Sequence, residues 1–112
     1  MGSLSKAMVM AGGLLLLAAP AFAIDMRTAS YTCDGAAKIM AIYVGTGEDA
    51  AVVLHYQDQL AGLSVTPAAS GVRYSEVPYG YVWHTKGKEA ILSRETSEGE
   101  TTVLDKCREM GS

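Results

Sequence analysis

The feature that most constrains this 112-residue chain is a succession of short segments rich in β-branched and aromatic residues. Turn-forming residues separate them at close spacing, among them Asp34-Gly35, Gln57-Asp58, Lys86-Gly87 and Glu98-Gly99. Gly and Asp suit these positions because tight hairpins need positive φ angles. Many short strands divided by turns indicate a sandwich or a barrel. The expected strands are Thr28–Cys33, Lys38–Val44, Ala50–Tyr56, Gln59–Thr66, Val72–Val77, Tyr81–Thr85, Glu89–Glu95 and Thr101–Cys107.

Apolar alternation supports individual strands, and the number of strands points to a closed sheet. Val52, Leu54 and Tyr56 would share one face, as the two-residue period of a strand requires. A helix beginning at residues 89–92 is the alternative for that segment, but nearby glycines leave it little room. Because closure removes exposed edges, we expect an all-β fold, a small antiparallel β-barrel of about eight strands. The strands are too short and too polar for an outer-membrane barrel.

The first 23 residues have the layout of a secretory signal peptide. Lys6 supplies a positive start, residues 7–19 form an apolar core, and Ala21-Phe22-Ala23 after Pro20 is an A-x-A cleavage site. An uncleaved membrane anchor is the alternative, because the apolar run approaches the length of a membrane span. We expect residues 1–23 to be removed, and residues 24–112 to form one exported domain that is free of the membrane after cleavage.

The charge balance limits the classes of partner. The whole chain carries a formal net charge of −3. Cleavage would remove Lys6 and no acidic residue, so that 8 basic and 12 acidic residues would leave a net charge of −4. Such a surface argues against nucleic acid or an anionic lipid surface as partner, and it suits a cationic one.

The two cysteines, Cys33 and Cys107, lie near opposite ends of the exported region. In an oxidising compartment we expect them to form one disulfide that ties the first strand to the last. In the simple loop model such a link stabilises a small domain by about 4 kcal/mol. A redox or metal pair is the alternative, but no C-x-x-C motif accompanies them, and His55 and His84 are isolated. We expect no metal and no cofactor.

Ser70-Gly71 and Lys86-Gly87 each place a polar residue before a glycine at a strand boundary. The simplest interpretation is two turns with solvated side chains. A catalytic Ser–Lys pair would need a buried, uncharged lysine and an oxyanion hole, whereas Lys86 lies in a turn beside Lys88, so we do not expect an enzyme. Turn glycines also allow close approach to another surface, so the serine hydroxyl and the lysine ammonium could enter a cavity of a partner.

Two motifs around these residues resemble a known family. Residues 70–74, Ser-Gly-Val-Arg-Tyr, fit the pattern SGxxY, and residues 81–87, Tyr-Val-Trp-His-Thr-Lys-Gly, fit YxxxTKG. With Tyr31-Thr32-Cys33-Asp34-Gly35 and the late Cys107, they resemble the membrane-bound or periplasmic inhibitors of C-type lysozyme, the MliC/PliC family. The resemblance spans nearly the whole exported region. The lack of a lipid-attachment cysteine after the signal peptide favours the soluble, periplasmic branch.

The resemblance implies an eight-stranded barrel that binds C-type lysozyme as its protein partner and plugs the active-site cleft. Ser70 and Lys86 would enter the cleft and contact its catalytic carboxylates, while Tyr74 and Tyr81 would hold the two loops in place. The partner-binding residues that the motifs imply are Ser70, Gly71, Tyr74, Tyr81, Thr85, Lys86 and Gly87.

Two other functions remain open from the sequence. A periplasmic small-ligand-binding barrel would line an interior pocket with its aromatic residues, although side chains ordinarily fill barrels of this strand number. A periplasmic assembly factor would use exposed aromatic residues instead. Tyr79, between Pro78 and Gly80, is the tyrosine that we expect to be most exposed.

Overall fold

A computed structural model describes residues 25–111, and all eight expected strands form in it. The expected signal peptide, residues 1–23, and the boundary of the domain at residue 24 lie outside the described residues. Within residues 25–111, no helix is long and apolar enough to cross a membrane. The strands are β1 Met26–Thr32, β2 Lys38–Val44, β3 Ala51–Tyr56, β4 Gln59–Thr66, β5 Val72–Ser75, β6 Gly80–Lys86, β7 Glu89–Thr96 and β8 Gly99–Glu109.

The strands form one closed antiparallel barrel in which each strand pairs with its neighbours in the chain. The barrel closes where β8 returns to β1, with Tyr31 paired to Glu109 and Thr32 to Arg108. Cys33 and Cys107 occupy the next position of this register and are joined by a disulfide that spans 74 residues. The expected fold class and the expected disulfide are therefore confirmed. The disulfide extends the pairing of β1 with β8, which otherwise consists of only two residue pairs.

Buried side chains fill the interior of the barrel. Trp83 has no exposed surface and stands edge-on to Tyr31, with the ring centroids 5.0 Å apart. The indole N–H of Trp83 donates to the hydroxyl of Tyr43 at 2.9 Å, and the hydroxyls of Tyr31 and Tyr43 lie 2.6 Å apart. Within residues 25–111, every fully buried side-chain nitrogen or oxygen has a hydrogen-bond partner. The other large side chains that are fully buried are Val52, Leu54, Leu63, Val82, Leu92 and Cys107.

Some strand ends differ from the expected ones. β5 ends at Ser75 rather than Val77; beyond it the Glu76 N–H still donates to the Tyr81 carbonyl oxygen at 3.0 Å, but the Tyr81 N–H donates to Glu76 Oε1 at 2.6 Å instead of to the backbone. The connection that follows leaves Tyr79 53% exposed, as expected. Residues 89–92 belong to β7, so the helical alternative for that segment is wrong.

Candidate functional site

Ser70 lies in the connection 67–71 between β4 and β5, beside the end of β6. Gly71, with a φ of +66°, turns the chain into β5, whose Val72 pairs with Thr85 of β6. A Cβ on Gly71 would overlap the carbonyl oxygen of Thr85. Glycine is needed here for two reasons, the positive φ and the close approach of two backbones. The result is an exposed serine held next to the last residues of β6.

Lys86 is the last residue of β6 and is exposed. It pairs with Glu89 across the two-residue turn of the β6–β7 hairpin. Gly87 occupies the first turn position with a φ of +63°, where a type II′ hairpin needs glycine. No other atom lies within 4 Å of the place where its Cβ would be. Glycine is therefore needed at position 87 for the positive φ of the turn, and not because another segment of the backbone lies close to it.

His84 connects the two turns. It lies on β6 between Trp83 and Thr85, both of which are buried, and its Nε2 lies 2.8 Å from the carbonyl oxygen of Ser70. A carbonyl oxygen can only accept, so Nε2 carries the proton. From the sequence, His84 was expected to be isolated. The only signal for it was its place inside YxxxTKG, at a position that the motif leaves free.

Ser70 and Lys86 line one groove on the outside of the barrel, together with His84. Its apolar part comes from Ala90 and Ile91 of β7. The groove therefore combines a hydroxyl, an ammonium group and an apolar surface, which is a suitable contact for a protein partner. The other residues that line it, which sequence analysis did not single out, are Glu89, Asp105 and Lys106.

The two carboxylates of the groove have hydrogen-bond partners, whereas its two lysines have no ion-pair partner among residues 25–111. Glu89 Oε2 accepts from Arg108 Nη1 at 2.9 Å, and Asp105 Oδ1 accepts the backbone N–H of Lys106 at 2.7 Å. Among residues 25–111, neither Lys86 nor Lys106 forms an ion pair. Two ammonium groups without a carboxylate partner thus face one groove in a chain whose net charge is −3.

Tyr74, Thr85 and Gly87 line a separate cavity, at the mouth of the barrel. Tyr74 pairs with Trp83 across β5 and β6, and its ring centroid lies 5.8 Å from that of Tyr43. Burial raises the pKa of the Tyr74 phenol above its ordinary value. Burial also raises the pKa values of Tyr31 and Tyr43, which line the same cavity. Tyr74 thus anchors β5 immediately after the Ser70-Gly71 turn.

Tyr81 lies at the other end of β6 from Lys86, roughly 17 Å away at the usual rise of a strand. The guanidinium of Arg94 stacks on its ring at 4.2 Å from the centroid. Its surroundings, which include Tyr56 and Glu76, belong to a different cavity from the groove. The structure therefore brings Ser70, Gly71, Lys86 and Gly87 together, keeps Tyr74 and Thr85 on the inner side of the same region, and sets Tyr81 apart.

Comparison with known proteins gives a consistent family match. The family model described as "membrane-bound lysozyme-inhibitor of c-type lysozyme" matches residues 31–101. A curated relative, the membrane-bound lysozyme inhibitor of C-type lysozyme from Pseudomonas aeruginosa, is 33% identical over 87 residues. That match covers 77% of this chain and 67% of the relative.

Solved structures share the fold. The periplasmic lysozyme inhibitor of C-type lysozyme from Salmonella typhimurium, PliC-St, is similar with a TM-score of 0.65 and 26% identity. The match covers 78% of this chain and 100% of that structure. Pseudomonas aeruginosa MliC, crystallised in complex with hen egg white lysozyme, has a TM-score of 0.59 and 22% identity, and covers 98% of this chain and 100% of that one. At 22% identity, the second match shows only that the two proteins share a fold.

Proposed function

Because this chain belongs to the MliC/PliC family of lysozyme inhibitors, we propose that it is an inhibitor of C-type lysozyme. The family expected from the SGxxY and YxxxTKG motifs is thereby confirmed. Two relatives, the Pseudomonas aeruginosa protein at 33% identity and PliC-St at 26%, are inhibitors of C-type lysozyme, which supports the same kind of partner for this chain. It acts by binding in the active-site cleft of the lysozyme, and it catalyses no reaction itself. We further propose that it works in the periplasm after removal of residues 1–23.

The observation that carries the mechanism is that Ser70 and Lys86 line one groove although 15 residues separate them in the chain. A lysozyme holds two carboxyl groups on either side of the bond that it cleaves. The Lys86 ammonium enters between them and supplies the positive charge that the oxocarbenium-like transition state would otherwise bring. The Ser70 hydroxyl donates to one carboxylate and accepts a further hydrogen bond.

Magnitudes favour the lysine as the main anchor. A charge-assisted hydrogen bond contributes about 1.5–3 kcal/mol, whereas a neutral hydroxyl contributes about 1 kcal/mol. The apolar side chain of Ile91, which lines the same groove and is 41% exposed, adds contact area that excludes water. The acidic net charge of the chain, −3, speeds encounter with a basic partner, while the Lys86 ammonium meets the acidic cleft.

The proposal is tested by titrating the mature protein against a C-type lysozyme in a cell-wall lysis assay. Lys86→Ala should weaken inhibition by roughly 2–5 kcal/mol, because it leaves buried carboxylates without a partner. Ser70→Ala should cost near 1 kcal/mol. Lys38→Ala, which removes an exposed lysine outside the groove, is the matched control and should inhibit like the parent.

Two results would contradict the proposal at different levels. If the parent protein does not inhibit any C-type lysozyme, the function is wrong. If it inhibits but Lys86→Ala and Ser70→Ala inhibit equally well, the function stands and insertion of these two side chains is wrong. Circular dichroism of each variant controls for folding, which neither change should disturb because both side chains are exposed.

A further inference from the structure

Strand β8 carries a bulge beside the groove. Ala90 and Leu92 of β7 pair with Cys107 and Leu104 of β8, so that β8 contains one extra residue between the two pairs. Lys106 lies in this interval with a φ of +52°. Residues other than glycine, asparagine and aspartate seldom adopt this left-handed conformation, because their Cβ crowds the following carbonyl. Bulges next to functional sites commonly redirect a side chain.

The bulge brings Lys106 into the groove that Ser70 and Lys86 line. Its backbone N–H is occupied by Asp105 Oδ1 at 2.7 Å. Its ammonium group has no carboxylate within ion-pair distance among residues 25–111. The conformation of the backbone does not call for lysine, since glycine or asparagine would adopt it more readily. Nor does packing require it, since the side chain is exposed.

We propose that Lys106 is a second cationic contact for the partner, and that it binds a carboxylate in or beside the acidic cleft that Lys86 enters. This inference rests on the proposed function and deepens it. Lys86 ends β6 beside the β6–β7 turn, whereas Lys106 lines the same groove from the bulge in β8. Two ammonium groups from two different elements recognise a pair of carboxylates more selectively than one flexible lysine.

The test substitutes Lys106 by asparagine, which tolerates the left-handed conformation but carries no charge. Lys106→Asn should weaken inhibition of a C-type lysozyme about tenfold, the loss expected for one charge-assisted hydrogen bond. Lys106→Arg, which keeps the charge, should stay within about threefold of the parent. Lys38→Asn removes the same charge outside the groove and should leave inhibition unchanged. Urea unfolding should find Lys106→Asn at least as stable as the parent, since it relieves the backbone.

The outcomes separate this inference from the proposed function. If Lys86→Ala loses inhibition and Lys106→Asn does not, Lys106 is no contact although the plug mechanism holds. If Lys38→Asn weakens inhibition as much as Lys106→Asn, the effect is one of net charge and the contact is overturned. If the parent does not inhibit, the proposed function itself has failed. Loss confined to Lys106→Asn, in a variant that is as stable as the parent, supports the contact.

Discussion

The imidazole of His84 donates a hydrogen bond from Nε2 to the carbonyl oxygen of Ser70 at 2.8 Å. The bond crosses from β6 to the connection that precedes β5, and so it joins the segments that carry the two proposed anchors. Lys86 lies two residues beyond His84 on the same strand. The position of Ser70 relative to Lys86 therefore depends on one side chain as well as on the β5–β6 ladder.

Replacing His84 should loosen the serine turn without destroying the barrel. His84→Ala leaves the Ser70 carbonyl without this donor, and we expect inhibition to fall about three- to tenfold with a loss of stability near 1 kcal/mol. His84→Gln can still donate from its side-chain amide and should recover most of the inhibition. Lysis assays and amide hydrogen exchange at residues 70–71 measure both effects. Equal inhibition and equal exchange in His84→Ala would show that the bond has no positioning role.

Much of the barrel could be predicted because its determinants are local. The turn signals Lys86-Gly87 and Glu98-Gly99 fall within one residue of the hairpin turns that the structure has, at residues 87–88 and 97–98. The disulfide followed from two cysteines in a chain that we expect to be exported. The proximity of Ser70 and Lys86 was expected only from the motifs. The strand pattern alone does not predict it, because a one-residue slip of register would move either side chain to the other face of the sheet.

Features that depend on register could not be predicted. β8 has two extra residues relative to β7, one on each side of Leu104, and they are defined only by the pairing of the two strands. The left-handed conformation of Lys106 lies at the shift that follows Leu104, where no glycine indicates it in the sequence. The place of Tyr81 illustrates the same limit. Its motif joins it to Lys86 in sequence, but an extended strand carries it to the far end of the barrel. His84 was missed because its partner is a backbone carbonyl, which sequence does not distinguish.

Gly71 and Gly87 provide a matched pair for the close approach of β5 and β6. Both have a positive φ, +66° and +63°, so alanine at either position should cost about 1 kcal/mol for conformation. Only at Gly71 would the added Cβ overlap a neighbouring backbone, the carbonyl of Thr85. Gly71→Ala should therefore destabilise by roughly 3 kcal/mol in urea unfolding and also weaken inhibition, because Ser70 moves. Equal destabilisation in the two variants would contradict this explanation.

The buried tyrosines at the mouth of the barrel make stability sensitive to alkaline pH. Burial raises the pKa values of Tyr31, Tyr43 and Tyr74 above the ordinary value of 10.0. The folded state therefore keeps these protons at a pH where the unfolded chain has lost them. Their contribution is fully present below about pH 10 and is lost as the pH rises further. For each tyrosine that stays protonated in the folded state, the free energy of unfolding falls by up to about 1.4 kcal/mol per pH unit.

Two phenylalanine variants test this origin of the alkaline sensitivity. Tyr43→Phe should be less stable near neutral pH by about 1 kcal/mol, because the indole N–H of Trp83 loses its acceptor. Above pH 10 the same variant should lose stability less steeply than the parent, because one protonated phenol is gone from the folded state. Tyr79→Phe, which alters an exposed side chain, is the control for the change from tyrosine to phenylalanine. Urea unfolding at several alkaline pH values measures the slopes, and a parent slope that Tyr43→Phe leaves unchanged would mean that other groups govern alkaline unfolding.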